Sequence, residues 1–147
     1  MRWQIIVAGK PALAYAKAGV EEYLLRLRRY LDAELVMVKA GTSQEVSQRL
    51  LEKSQGAYRI VLDERGDSPT TRQLSERIAA LEMRGDVKAV AFLIGASDGH
   101  TQELRNSADW LLSLSSMTMQ HELALVVLLE QIYRVATLRK GEPYHRD

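Results

Sequence analysis

Short apolar runs alternate along this chain with longer stretches in which apolar residues recur every three or four positions. Ile5-Ile6-Val7-Ala8, Leu35-Val36-Met37-Val38, Ile60-Val61-Leu62 and Val87 to Ile94 are rich in β-branched residues and predict strands. Between them, residues 11 to 31, 43 to 54 and 70 to 84 carry helical spacing. Pro11 suits a first helical turn, Ser43 is placed to cap the second helix, and Ser68-Pro69 opens the third. Gly85-Asp86 ends that third helix. A fifth short strand is expected near Trp110 to Leu114, and a last helix from about Gln120 to Lys140. This alternation implies an α/β fold, a parallel sheet with helices on both faces. Without internal repeats or a linker rich in Pro, Gly or Ser, residues 1–147 read as one domain. The last helix is apolar almost all round, from Leu123 to Val135, which predicts burial on two sides and a subunit interface.

Composition narrows the function classes. At 147 residues, 46% hydrophobic and 27% charged, the chain can bury a real core and is not disordered. The absence of cysteine excludes a disulfide framework and a thiolate metal site, and fits a reducing, cytoplasmic setting. The start reads as a first strand and not as a signal peptide. Leu123 to Leu129 is too short to span a bilayer. A net charge of +1 is low for a protein that grips nucleic acid through one broad basic face. Arg26, Arg28 and Arg29, with Arg139, Lys140 and Arg146, form either a solvated face or an RNA-facing patch made adequate by dimerisation.

Candidate chemistry gathers where strands end, because open α/β sheets bind ligands beyond the carboxyl ends of their strands. One such end is Leu62-Asp63-Glu64-Arg65-Gly66; a second is Leu93-Ile94-Gly95-Ala96-Ser97-Asp98-Gly99. Small residues there let a ligand approach the backbone, although a glycine turn alone is an ordinary connection. Neither matches G-x-G-x-x-G or a Walker A loop, so NAD chemistry and nucleotide hydrolysis are disfavoured. A third stretch, Ser113 to His121, interleaves hydroxyls with Leu114, Met117 and Met119 and suits a ligand that is part apolar, part polar. It reads equally as the entry to the last helix, capped by Thr118 or Ser116. His100, His121 and His145 lack metal-ligand spacing, and no serine sits in a G-x-S-x-G elbow. After Pro143 come Tyr144, His145 and Arg146: a stacking surface, a group titrating near neutrality and a planar cation. Such an end frays unless it is docked.

Taken together, the segments Leu93-Ile94-Gly95 with Gly99, Leu114-Ser115 through Thr118 and His121, Glu130-Gln131-Ile132-Tyr133-Arg134, and Tyr144-His145-Arg146 closely resemble the ribosomal RNA large subunit methyltransferase H family. That family lies in the SPOUT class of α/β-knot methyltransferases. The resemblance covers nearly the whole chain. It implies a SPOUT-type fold with a C-terminal trefoil knot, an exception to the rule that chains avoid threading. It further implies a homodimer that binds S-adenosylmethionine and methylates N3 of a pseudouridine in 23S ribosomal RNA, within the large subunit or the assembled ribosome. Carried onto this chain, the cofactor contacts fall on Leu62, Gly95, Leu114, Ser115, Ser116, Met117, Thr118 and Met119, with no metal. Catalytic roles fall on His145 as base, Arg146 as charge stabiliser and Tyr144 as stacking partner, with Arg134 bracing the tail. Three positions depart from the family pattern: Ala96 for a second glycine, Gln120 for proline and Leu125 for arginine. Two other readings compete: a non-catalytic ribosome-binding α/β module, and a methyltransferase acting on a different RNA nucleotide.

Overall fold

The computed structural model describes residues 1–147. Five strands, β1 (Arg2–Ala8), β2 (Ala33–Val38), β3 (Tyr58–Asp67), β4 (Ala89–Ile94) and β5 (Trp110–Leu112), form one sheet in the order β2-β1-β4-β3-β5. Every pairing is parallel, as the β/α alternation predicted. Five helices connect and cover them: α1 (Ala14–Leu27), α2 (Ser43–Lys53), α3 (Thr71–Arg84), α4 (Gln102–Asn106) and α5 (His121–Arg139).

Because strand side chains alternate between faces, the sheet separates two cores. Trp3, Ile5, Val7, Val90, Phe92 and Ile94 face α1, α3 and α5, which contribute Leu24, Ile78, Leu128 and Ile132 among others. Ile6, Ala8, Ala91 and Leu93 face α2 and α4 through Val46, Leu50 and Leu104. All six residues of β4 are buried, the continuous apolar run expected of a strand covered on both sides. Helix α5 buries Leu125, Leu128, Leu129, Ile132 and Val135, each worth about 1.5–3 kcal/mol relative to exposure. It packs chiefly against α1 and α3. Gly19 lets α1 and α5 close, since a Cβ there would lie 2.9 Å from Val126 Cγ1.

Several expected boundaries move. The first helix begins at Ala14, leaving Pro11 in the preceding turn. Thr42, not Ser43, caps α2, with Glu45 completing a capping box; Ser43 Oγ instead donates to Gly99 O. Thr70 and Gln73 do the same for α3, two residues after Ser68. Gln120, not Thr118 or Ser116, caps α5: its Oε1 accepts from Glu122 N and Leu123 N. The departure from proline at Gln120 thus supplies a cap. Leu125 is buried in the core rather than turned toward solvent, so an apolar residue suits its position. Helix α4, with one buried apolar residue, gave too little periodicity to be predicted. Strand β3 runs on past Leu62 to Asp67 through an irregularity opposite Leu112. No helix is long and apolar enough to cross a membrane.

Candidate functional site

The carboxyl ends of β3, β4 and β5 open onto a cleft of about 560 Å³. Its position follows from where pairing stops. The last rung between β3 and β4 is Val61↔Leu93, after which the two strands separate. The Leu62 carbonyl, left without a partner on β4, accepts from His100 Nε2 at 2.8 Å. His100 follows the left-handed Gly99 (φ 80°), and its ring lies directly on Gly95. A Cβ at residue 95 would sit 2.8 Å from His100 Cε1, so a glycine is required there by the imidazole. His100 is only 8% exposed, and burial holds its pKa below the ordinary histidine value, opposed by the bond to Leu62 and by Asp63. Its Nδ1 is buried with no hydrogen-bond partner.

The second wall comes from the irregularity in β3. Residues 63 to 66 leave the ladder between the Leu62↔Leu112 and Asp67↔Leu112 pairs. Gly66 makes this excursion possible, because a Cβ there would fall 2.3 Å from Leu111 O. Asp67 then closes it, accepting Trp110 Nε1 at 3.0 Å and Ser113 N at 2.7 Å. Asp63 turns inward, accepts Arg65 N at 2.9 Å and lies 3.8 Å from Arg105 Nη1. Arg105 also donates to His100 O, tying α4 to the turn after β4. The third wall is the 113–119 loop, folded by Ser113 Oγ donating to Ser115 O and Met117 N donating to Ser115 Oγ.

Seven of the residues expected to bind a ligand line this cleft together: Leu62, Gly95, Leu114, Ser115, Met117, Thr118 and Met119. Ser116, exposed in the same loop, is not among the residues that line it. Asp63, Glu64, Arg65, Asp98, His100 and Arg105 also line it. His100 was passed over in the sequence because it lacks metal spacing; its place directly after the strand-end glycines was the available signal. The lining combines apolar side chains, hydroxyls, open backbone and three carboxylates. Such a surface suits an organic ligand that is part apolar and part polar or charged.

The expected catalytic tail is docked rather than frayed, yet it lies elsewhere. Tyr144 packs edge-on against Tyr133 at 4.6 Å, and the Arg134 guanidinium sits 5.0 Å from its ring. Burial, with Tyr23 and Glu130 nearby, pushes the Tyr144 phenol up to about 12. His145 has an 8% exposed side chain; Arg134 Nη1 lies 3.3 Å from its Nδ1 and Asp147 Oδ1 lies 2.9 Å from its Nε2. An arginine only donates, so Nδ1 is the acceptor and Nε2 carries the proton. Arg72 holds Asp147 at 2.7 Å and, with His145, lowers its carboxyl to about 2. Arg134 is itself anchored by Glu130, so it braces the tail. No residue from 141 to 147 lines the cleft. Arg134 lies ten residues, about 15 Å, along α5 from Ala124, which does.

A family model described as "Predicted SPOUT methyltransferase" matches residues 1–145. Among curated proteins, the chain is 51% identical over 146 residues to a "Ribosomal RNA large subunit methyltransferase H" of Thermus thermophilus, covering 99% of each. It is 44% identical to the protein of that name from Deinococcus radiodurans, again over 99% of both. With that of Acetivibrio thermocellus it shares 38% identity, over 99% of this chain and all of the relative.

Proposed function

The chain belongs to the SPOUT methyltransferase family, and on that premise we propose that it methylates N3 of a pseudouridine in large-subunit ribosomal RNA, using S-adenosylmethionine held in the cleft. The observation that carries this reading is the cleft itself. Family members generally use S-adenosylmethionine, and the lining fits it. Leu62, Leu114, Met117 and Met119 offer apolar surface to an adenine, Gly95 and the 113–119 loop offer backbone groups, and Glu64 and Asp98 offer negative charge to a cationic centre. When bound, S-adenosylmethionine supplies an electrophilic methyl group on a sulfonium. The protein's remaining task is alignment and proton removal, since the acceptor is an imide N–H. His145 Nδ1, the unprotonated nitrogen, takes that proton once Arg134 releases it. Acid–base help of this kind is worth roughly 10²–10⁴-fold. Arg146, exposed and free of any ion pair, stabilises charge developing on the flanking carbonyl oxygens, about 3 kcal/mol for one such donor. Tyr144 stacks on the target base.

The distance between tail and cleft supports a homodimer in which one protomer's tail completes its partner's cleft. Exposed Leu13 and Tyr15 at the start of α1 lie near exposed Met119 and Leu123 at the start of α5. Glu122 draws these two helix starts together by accepting Ala12 N and Leu13 N. Apolar surface beside the cleft suits a second copy of the chain. The substrate places this work in the cytoplasm, on the large subunit or the assembled ribosome.

Family membership sets aside a non-catalytic ribosome-binding module. Methylation of a different nucleotide keeps the same cofactor and cleft. Calorimetry with S-adenosylmethionine and mass spectrometry of the treated ribosomal RNA test both halves of the reading. Removal of residues 142–147 is expected to leave donor affinity within a few-fold and to abolish methylation. Unchanged turnover would remove the tail from the mechanism, and a mark on another nucleotide would change the acceptor alone.

A further inference from the structure

Stability alone does not account for His100. A buried polar atom without a partner is destabilising by about 1–3 kcal/mol, and His100 Nδ1 is such an atom. Leu62 O can only accept, so the ring nitrogen bonded to it, Nε2, carries the proton. That leaves Nδ1 an unsatisfied acceptor against Gly95. An apolar side chain of similar volume would remove this penalty but leave the Leu62 carbonyl without its donor, so stability alone does not select the ring. The ring nonetheless occupies the point where β3 and β4 part, with its main chain fixed from two directions. Arg105 Nη1 donates to His100 O, and the neighbouring Thr101 N donates to Ser47 Oγ on α2. The flanking Gly99 O accepts from Ser43 Oγ. Backbone on both sides of the ring is therefore immobilised, and the side chain bridges two cleft walls, Leu62 on β3 and Gly95 after β4.

We propose that His100 is a positioning residue for the methyl-donor site: its Nε2–H tautomer holds the Leu62 carbonyl and the Gly95 turn at the spacing that binds S-adenosylmethionine. The inference rests on the cleft being the donor site and adds a residue that acts through Leu62 and Gly95. The penalty at Nδ1 is retained because an N–H donor at this place satisfies the Leu62 carbonyl while leaving the space above Gly95 shaped for the ligand. Losing local stability at a functional position is the pattern expected where sequence and stability disagree.

Two substitutions in the full-length chain separate this role from simple packing. His100→Leu fills the volume without a donor, whereas His100→Gln keeps an N–H that can reach Leu62 O. Titration calorimetry with S-adenosylmethionine is expected to show at least about tenfold weaker binding for His100→Leu and binding within about threefold of wild type for His100→Gln. The thermal midpoint of His100→Leu is expected to stay within a few degrees of wild type, because the orphaned Nδ1 is gone while the Leu62 carbonyl loses its donor. A residue that merely packs would lose affinity and stability together, and that result would overturn the proposal. So would equal donor affinity in all three proteins, or a ¹⁵N spectrum placing the His100 proton on Nδ1. Absence of any binding by the wild-type chain would instead overturn the functional reading, and this inference with it.

Discussion

Gly66 and His100 show how single residues shape the cleft. At Gly66 the obstacle to a side chain is backbone, Leu111 O at 2.3 Å from a built Cβ, and backbone within a sheet cannot yield cheaply. Gly66→Ala is expected to destabilise by about 1–3 kcal/mol, lowering Tm by roughly 3–10 °C and weakening donor binding through the displaced 63–66 segment. A thermal melt at the wild-type midpoint would contradict the close approach. At His100 the prediction concerns pH. Its folded pKa is depressed, so the neutral form's contribution is fully present above the unfolded value near 6.5 and is lost as pH falls through the folded value. Melts between about pH 7 and pH 5 are expected to drop less steeply for His100→Leu than for wild type. Parallel curves would show that the ring does not resist protonation. Neither effect could be read from the sequence, since glycine after a strand and histidine after glycine are ordinary until their neighbours are known.

At the scale of elements, Gly19 and Gln120 fix how α5 enters and packs. Substituting Gly19 by alanine gains about 1 kcal/mol in helix propensity but meets Val126, whose β-branched side chain cannot rotate away. The expected net result is a loss of up to about 2 kcal/mol, with a double-mutant coupling to Val126→Ala above about 0.5 kcal/mol. Additive effects by denaturant unfolding would contradict that contact. Gln120→Ala is expected to cost about 1 kcal/mol as two N–H groups lose their acceptor. The same two helices show what was legible. Hydrophobic period alone located β1, β2 and β4 and four of the helices, because each buries a clear face. It placed the cap of α5 at Ser116 or Thr118, since glutamine is not a preferred capping residue. It missed α4, whose single buried Leu104 carries no period, and ended β3 at Leu62, where the polar residues Asp63 to Arg65 leave the ladder. The cleft residues were legible as strand ends; that they converge, and that Ser116 is not among them, depended on the folding of the 113–119 loop.

On the scale of the whole molecule, the relation between tail and cleft decides function. Asp147 has a depressed pKa, so its hold on His145 and Arg72 is complete above the unfolded carboxylate value near 4 and is lost as pH falls through about 2. Tyr144 resonances are therefore expected to report a docked tail at neutral pH, and a loose tail at pH 7 would contradict the Arg72 contact. Docked as it is, the tail lies about 15 Å along α5 from its own chain's cleft, and under the proposed function it therefore acts in a partner's cleft. Mixing two inactive variants tests this most directly: one lacking residues 142–147, the other carrying Gly95→Leu to drive a side chain into His100 and close the donor site. Mixed dimers contain one intact cleft facing one intact tail, so methylation of large-subunit ribosomal RNA is expected to reappear at a sizeable fraction of the wild-type rate. A mixture that forms mixed dimers yet stays as inactive as its parents would contradict the account, because the tail would then serve only its own chain.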